Sequence, residues 1–145
     1  MNKNISLPYR VYLDITNACP LNCLHCYANS STQHLNNELT LSELKAIAIQ
    51  LVELNINNLV ISGGEPFCRI DLFDFLDFCL EKKIIITLLT NGILIDSVVA
   101  KKLKGLAIDL RISLDGLSET THDYIRGCGN FKKVLDVIRF LQSEH

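Results

Sequence analysis

Four times along the chain a short apolar or alternating run gives way to a stretch with helical spacing, and this alternation constrains the fold more than any other feature. Residues 10–16 place Val11, Leu13 and Ile15 on one face and Tyr12, Asp14 and Thr16 on the other, the period-two pattern of a strand. Thr40 with Glu43 three positions on is a capping-box signature, and Leu44, Ile47, Ala48, Leu51 and Leu54 follow as the stripe of a helix ending near Asn55. A second apolar run, 59–62, closes at Gly63-Gly64, and Leu72, Phe75, Leu76 and Cys79 mark a second helix beginning at Asp71. Residues 84–89 are rich in branched side chains, as in a parallel strand buried on both faces, and lead through Thr90-Asn91-Gly92 to a short helix over 96–103. Residues 107–114 supply the fourth strand and Asp115-Gly116 a turn. After a polar stretch, Phe131, Val134, Leu135, Ile138 and Leu141 trace a last helix running nearly to His145.

Strands that alternate with helices imply an α/β chain with parallel strands and right-handed crossovers, either an open sheet or part of a barrel. The 145 residues suit one domain. With 48% hydrophobic and 21% charged residues the composition is that of a folded globular chain and excludes disorder. The 14 basic residues are offset by 16 acidic ones and form no run, so no nucleic-acid partner is expected. No apolar stretch is long enough to span a membrane and the first thirty residues lack a secretory pattern, so the expectation is a cytoplasmic chain with no membrane partner. In parallel folds chemistry gathers beyond the carboxyl ends of the strands, here 17–27, 63–68, 90–92 and 113–116.

The first of these segments carries Cys19, Cys23 and Cys26 as C-x3-C-x2-C. Without an export pattern, six cysteines read as metal ligands, core residues or reactive thiols before they read as disulfides. Three thiolates on one loop can hold three corners of a four-iron four-sulfur cluster and leave one iron open, and Pro20 argues for a wrapping loop over a continuous helix. Two alternatives stand beside this: buried structural cysteines, and a zinc-stabilised Cys3His binding module in which His25 or His34 completes the tetrahedron.

The Cys19-Cys23-Cys26 spacing after a first strand resembles the radical S-adenosylmethionine (radical SAM) family, in particular its peptide- and protein-modifying branch, which includes the anaerobic sulfatase maturases. The resemblance implies the N-terminal four (β/α) units of a partial TIM-like barrel. It further implies that the three cysteines hold a 4Fe-4S cluster, that the methionine moiety of S-adenosyl-L-methionine chelates the fourth iron, and that His25 lies near the adenine. Gly63-Gly64-Glu65-Pro66 resembles the motif that contacts the cofactor's amino group; paired glycines allow close approach, and Glu65 is an acceptor suited to an ammonium or to fixing the loop. Asn91 in Thr90-Asn91-Gly92, and Ser113 with Asp115-Gly116, resemble the strand-end residues that meet ribose or carboxylate groups, although both Asn-Gly and Asp-Gly also read simply as turns. His122-Asp123-Tyr124-Ile125-Arg126-Gly127 resembles a further segment of the same branch, with Arg126 either anchoring a loop or meeting an anion and His122 given no catalytic role.

Arg111 reads as a carboxylate partner or a salt-bridged strand residue, Cys79 as core, and Cys68 and Cys128 as lying near the active face without a cluster pattern. The implied activity is reductive cleavage of the cofactor to a 5'-deoxyadenosyl radical for modification of a peptide or protein, fed by an electron donor such as ferredoxin or flavodoxin. The resemblance covers four of the family's six strand and helix units, so 1–145 reads as a truncated core domain. That leaves a second functional reading, a cofactor-binding remnant without turnover. An unpaired edge on the fourth strand also predicts self-association or a complementing chain.

Overall fold

The computed structural model describes residues 8–33 and 37–143, and His34 lies outside the described residues. Four strands, β1 (Val11–Asp14), β2 (Asn58–Ser62), β3 (Ile85–Thr90) and β4 (Ile108–Ile112), form one parallel sheet in the order β1-β2-β3-β4. The crossovers carry α1 (Leu41–Glu53), α2 (Leu72–Glu81) and α3 (Ser97–Lys104), and α4 (Glu119–Arg126) and α5 (Asn130–Ser143) follow β4.

Local chemistry starts α1 where its capping box predicts, and a side-chain cap also starts α3. The Thr40 hydroxyl accepts from the Glu43 N–H at 3.3 Å, and the Glu43 carboxylate accepts from the Thr40 N–H at 2.8 Å, closing the capping box of α1. Asp96 accepts from the N–H groups of Val98 and Val99 at 2.9 and 2.8 Å at the start of α3. The apolar stripes of α1, α2 and α3 meet one face of the sheet, and Leu44, Leu59, Ile61, Phe75, Leu76, Cys79, Ile86 and Leu88 are buried there. Cys79 is therefore core, its thiol pushed up to about 12 by burial.

One expectation is corrected. The third strand is not buried on both faces, since Ile85 is 61% exposed and Leu89 only half-buried. Among the described residues no helix covers that second face, which carries Tyr12, Asp14, Ile85, Asp109 and Arg111 toward solvent. The polar stretch that follows the Asp115-Gly116 turn, which carries no helical stripe in the sequence, holds a further helix, because 119–126 form α4, with the Ser118 hydroxyl accepting from the Thr121 N–H.

Arg69 joins three elements. Its guanidinium donates to the backbone oxygens of Ile15 and Leu39, each at 2.9 Å, and pairs with Asp71 at the start of α2. These bonds fix the end of β1, from which the cysteine loop departs, to the start of α2. β1 and β4 are the edge strands, and beside β4 Leu103, Ile108, Leu110, Ile138 and Leu141 line a cleft of about 360 Å³. No helix among the described residues is long and apolar enough to cross a membrane.

Candidate functional site

Beyond the carboxyl end of β1 the chain leaves the sheet at Ala18 and returns at Ser31, where the two residues form a parallel bridge closed by the Cys19 N–H to Ser31 O bond at 2.6 Å. The loop between carries Cys23 and Cys26, and all six cysteines of the chain are free thiols. Cys19, Cys23 and Cys26 line one cavity of about 190 Å³, whose other walls include His25, Gly63, Gly64, Asn91, Ser113 and Arg126. The four strand-end segments thus converge.

The thiols differ in their surroundings. Burial pushes Cys19 up, with the nearby Glu65 charge adding to it, and the Leu21 N–H pulls it back. Burial also pushes Cys23 up, opposed by the Arg126 charge. Cys26 is pulled below its ordinary value, chiefly by the Ser30 N–H, which donates to its sulfur at 3.4 Å. A thiol stabilised as thiolate by backbone donors is a ready ligand. The Asn91 side-chain amide donates to the Cys19 sulfur at 3.6 Å, a contact that orients and tunes a sulfur ligand.

The glycine motif serves the loop itself. A Cβ on Gly64 would stand 2.4 Å from Ala18 O, and one on Gly63 the same distance from Thr16 O, while the Gly64 and Glu65 N–H groups donate to Thr16 O and Ala18 O at 2.7 and 2.8 Å. Only glycine admits this backbone crossing, and Gly63 also holds a φ of 132°. Glu65 is fully buried and turns away from solvent: it accepts from the Thr90 hydroxyl and the Asn91 N–H, each at 2.8 Å, and from the Phe67 N–H at 3.3 Å. Burial pushes its carboxyl up and these donors pull it back. Of the two roles read for Glu65, the geometry shows the one that fixes loops. Pro66, also buried, opens a short 3-10 turn directly after it.

Asp115 does not itself line the cavity but joins two residues that do: it receives the Arg126 guanidinium, and its Oδ2 lies 3.1 Å from His25 Nε2. Burial pushes Asp115 up, but Arg126 and then His25 outweigh it and hold the carboxyl below its ordinary value. The Asp115 N–H donates to Nδ1 of the fully buried His122, and the Leu24 N–H donates to Ile125 O at 2.9 Å. α4 therefore grips the cysteine loop directly at Leu24 and, by way of Asp115, at His25. Arg111 is the salt-bridged strand residue, paired with Asp109 at 2.8 Å. Cys68 sits apart, beside Arg69 and Asp71, and Cys128 is exposed after α4. Sequence reasoning missed Arg69, whose only signal was an arginine close behind the glycine motif, and Asp123, whose carboxylate accepts from the Phe131 N–H at 2.8 Å at the start of α5.

The donor set fits an iron-sulfur cluster. Three thiols face one cavity, and buried Ser30 in its wall draws the Cys26 thiol toward thiolate with both its N–H and its hydroxyl. No set of three or more Cys, His, Asp or Glu among the described residues is close enough to share a single metal ion.

The chain is similar to known proteins in sequence and in fold. The family model described as "Radical SAM superfamily" matches residues 13–145. The chain is 32% identical over 138 residues to the AdoMet-dependent heme synthase of Methanosarcina barkeri, covering 94% of this chain and 40% of that protein. It is 38% identical over 136 residues to the Fe-coproporphyrin III synthase of the same organism, covering 92% of this chain and 34% of that one. The chain thus spans well under half the length of these curated relatives. Among solved structures, Streptococcus suis SuiB bound to the precursor peptide SuiA superposes with a TM-score of 0.84 at 23% identity, covering 96% of this chain and 31% of SuiB, a likeness of fold.

Proposed function

The chain belongs to the radical SAM superfamily, and from that membership we propose that Cys19, Cys23 and Cys26 hold a 4Fe-4S cluster while the strand-end motifs receive S-adenosyl-L-methionine. The observation that carries the reading is the convergence of the three thiols with Gly63, Gly64, Asn91 and Ser113 on one cavity. When bound, the cluster and S-adenosylmethionine supply one-electron cleavage of the sulfonium, yielding methionine and the 5'-deoxyadenosyl radical that takes a hydrogen atom from substrate.

The chain's own residues bind and orient. Cys26, held toward thiolate by the Ser30 N–H, anchors a half-buried corner of the site, and Cys19, under the Asn91 amide, the buried one. Gly63 and Gly64 keep the loop against the strand ends, with Glu65 and Pro66 fixing the segment behind them. His25 and Ser113 line the cavity and Asp115 stands against His25, and in this reading the three meet the nucleoside. Arg126 neutralises Asp115 there, so that a bound anionic group does not face a bare carboxylate.

The substrate reading is a peptide or protein, supported by the fold likeness to SuiB, which is solved with a precursor peptide. A second reading, a porphyrin-type substrate, is favoured by the identity to the Fe-coproporphyrin III synthase. Electrons come from a donor such as ferredoxin or flavodoxin in the cytoplasm, and the edge of β4 is the surface for self-association or a complementing segment.

The test is anaerobic reconstitution. Roughly four irons and four sulfides per chain and release of 5'-deoxyadenosine support the proposal. Colourless protein retaining one zinc overturns it. A cluster without cleavage establishes the binding half and identifies a cofactor-binding chain without turnover. Cys23→Ala should lose the cluster, and full retention of iron would contradict its role as a ligand.

A further inference from the structure

The open face of the sheet presents a second feature just beneath the cysteine cavity. Its β1–β4 side chains are Tyr12 and Asp14, Asn58, Val60 and Ser62, Ile85, Thr87 and Leu89, and Asp109 and Arg111, which include three charged groups. Register puts Asp14 beside Ser62 and Leu89 beside Arg111, so these four belong to the rung nearest the strand ends. Asp109 takes the Arg111 guanidinium at 2.8 and 2.9 Å. The charge left over is that of Asp14, which pairs with no cation among the described residues; its partner is the Tyr27 hydroxyl at 3.2 and 3.3 Å.

Around Asp14 the chain builds a depression of about 430 Å³, lined also by Tyr12, Tyr27, Ser62 and Leu89. Tyr12 and Tyr27 are 66% and 77% exposed, a large aromatic area to leave in water beside a carboxylate that no cation neutralises among the described residues. Tyr27, Ser62 and Leu89 line the cysteine cavity as well, so the two spaces share a wall, and Tyr27 directly follows Cys26.

An acceptor carboxylate between aromatic rings suits a cation, held by charge at the head and by the ring faces along its sides. We infer that Asp14, Tyr12 and Tyr27 form a docking subsite for the protonated amine or guanidinium of a lysine or arginine side chain on a peptide substrate. The inference rests on the peptide reading of the proposed function and narrows it, because a substrate that presents carboxylates would meet Asp14 as a like charge. Docking there places neighbouring atoms of the peptide against the wall shared with the cysteine cavity.

The test uses the full chain and three capped pentapeptides, alanine throughout with a central lysine, norleucine or glutamate. The protein has no tryptophan and four tyrosines, so tyrosine emission reports on a site walled by two of them. The lysine peptide should bind at least about fivefold more tightly than its neutral norleucine counterpart, with the glutamate peptide weakest and the lysine preference fading as salt rises. Asp14→Asn should abolish the preference, and Tyr12→Ala should weaken lysine binding about two- to fivefold. Equal binding of lysine and norleucine peptides, or a preference kept by Asp14→Asn, overturns the inference. If Asp14→Asn fails to fold by circular dichroism, Tyr12→Ala and the salt series decide. Iron loading of the same preparation reports on the cluster separately: a lysine preference without iron would sink the cluster reading alone, and iron without the preference would sink the docking reading alone.

Discussion

Glu65→Gln is the most informative single change because it alters one atom of a fully buried group. The carboxylate accepts at Oε1 from the Thr90 hydroxyl and the Phe67 N–H, and at Oε2 from the Asn91 N–H. The Thr90 hydroxyl also accepts from the Gly92 N–H at 2.9 Å, so its own proton is committed to Glu65. A glutamine carbonyl can replace Oε1, which leaves the new NH2 facing the Asn91 N–H, donor against donor. The loss is one hydrogen bond to a charged acceptor, about 1.5–3 kcal/mol, partly offset by no longer burying a charge. A net cost of about 2 kcal/mol lowers Tm by roughly 4–8 °C for a chain of this size. Displacing Asn91 also moves the amide that reaches the Cys19 sulfur, so reconstituted iron should fall together with Tm. Thermal unfolding by far-UV circular dichroism and iron analysis read both effects. An unchanged or raised Tm would refute the reasoning, since it would mean that the three donors do not favour a carboxylate at this place.

Asp115, held below its ordinary value, adds stability that is present above the unfolded carboxyl's pKa of about 3.9 and is lost as pH falls through its folded value. Asp115→Asn should therefore show a shallower loss of urea resistance between about pH 5 and pH 3 than the wild type, and parallel curves would count against the pairing with Arg126 and His25. Gly64→Ala drives a Cβ to within 2.4 Å of Ala18 O and 2.8 Å of Asn17 O, both backbone atoms, and should cost at least about 2 kcal/mol along with most of the bound iron. Gly105→Ala, whose Cβ meets nothing closer than 3.7 Å, is the matched control and should leave iron unchanged.

The alternation of strands and helices was legible because each crossover helix packs one stripe on the sheet, and Leu44, Ala48, Leu51, Phe75 and Cys79 announce that stripe by spacing alone. The cap at Thr40 was equally readable, being local chemistry. What failed was burial on the second face of β3. A run of branched residues reports strand propensity but not whether anything lies opposite, and Ile85 faces solvent. α4 failed for a different reason: it spans only eight residues and buries His122 alone, so no apolar period marks it. At the site, the residues after each strand were visible from position, as parallel topology brings those positions together. The contacts among them were not, since Glu65 meets residues 25 and 26 positions away and Asn91 meets Cys19 across 72.

The unannounced α4 has consequences for the cysteine loop. A helix of eight residues is too short to hold itself in water, so its order comes from its ends. At its C-terminal end the Asn130 amide donates to the Arg126 and Gly127 oxygens at 2.8 and 3.0 Å, and Asp123 caps the start of α5, which locks the two helices into one corner. From that corner Arg126 reaches Asp115, Asp115 reaches His25, and Ile125 O takes the Leu24 N–H. Two of the loop's residues between the first and third cysteine are thus held by a helix that supplies no cysteine. Each tie is worth on the order of 1 kcal/mol, but they act on the same short loop, and the loop opens only when both let go. The spread of the three thiols is therefore set by the Ala18–Ser31 bridge at its base and the α4–α5 corner at its tip, which makes the polar segment after β4 as much a part of the site as the cysteines.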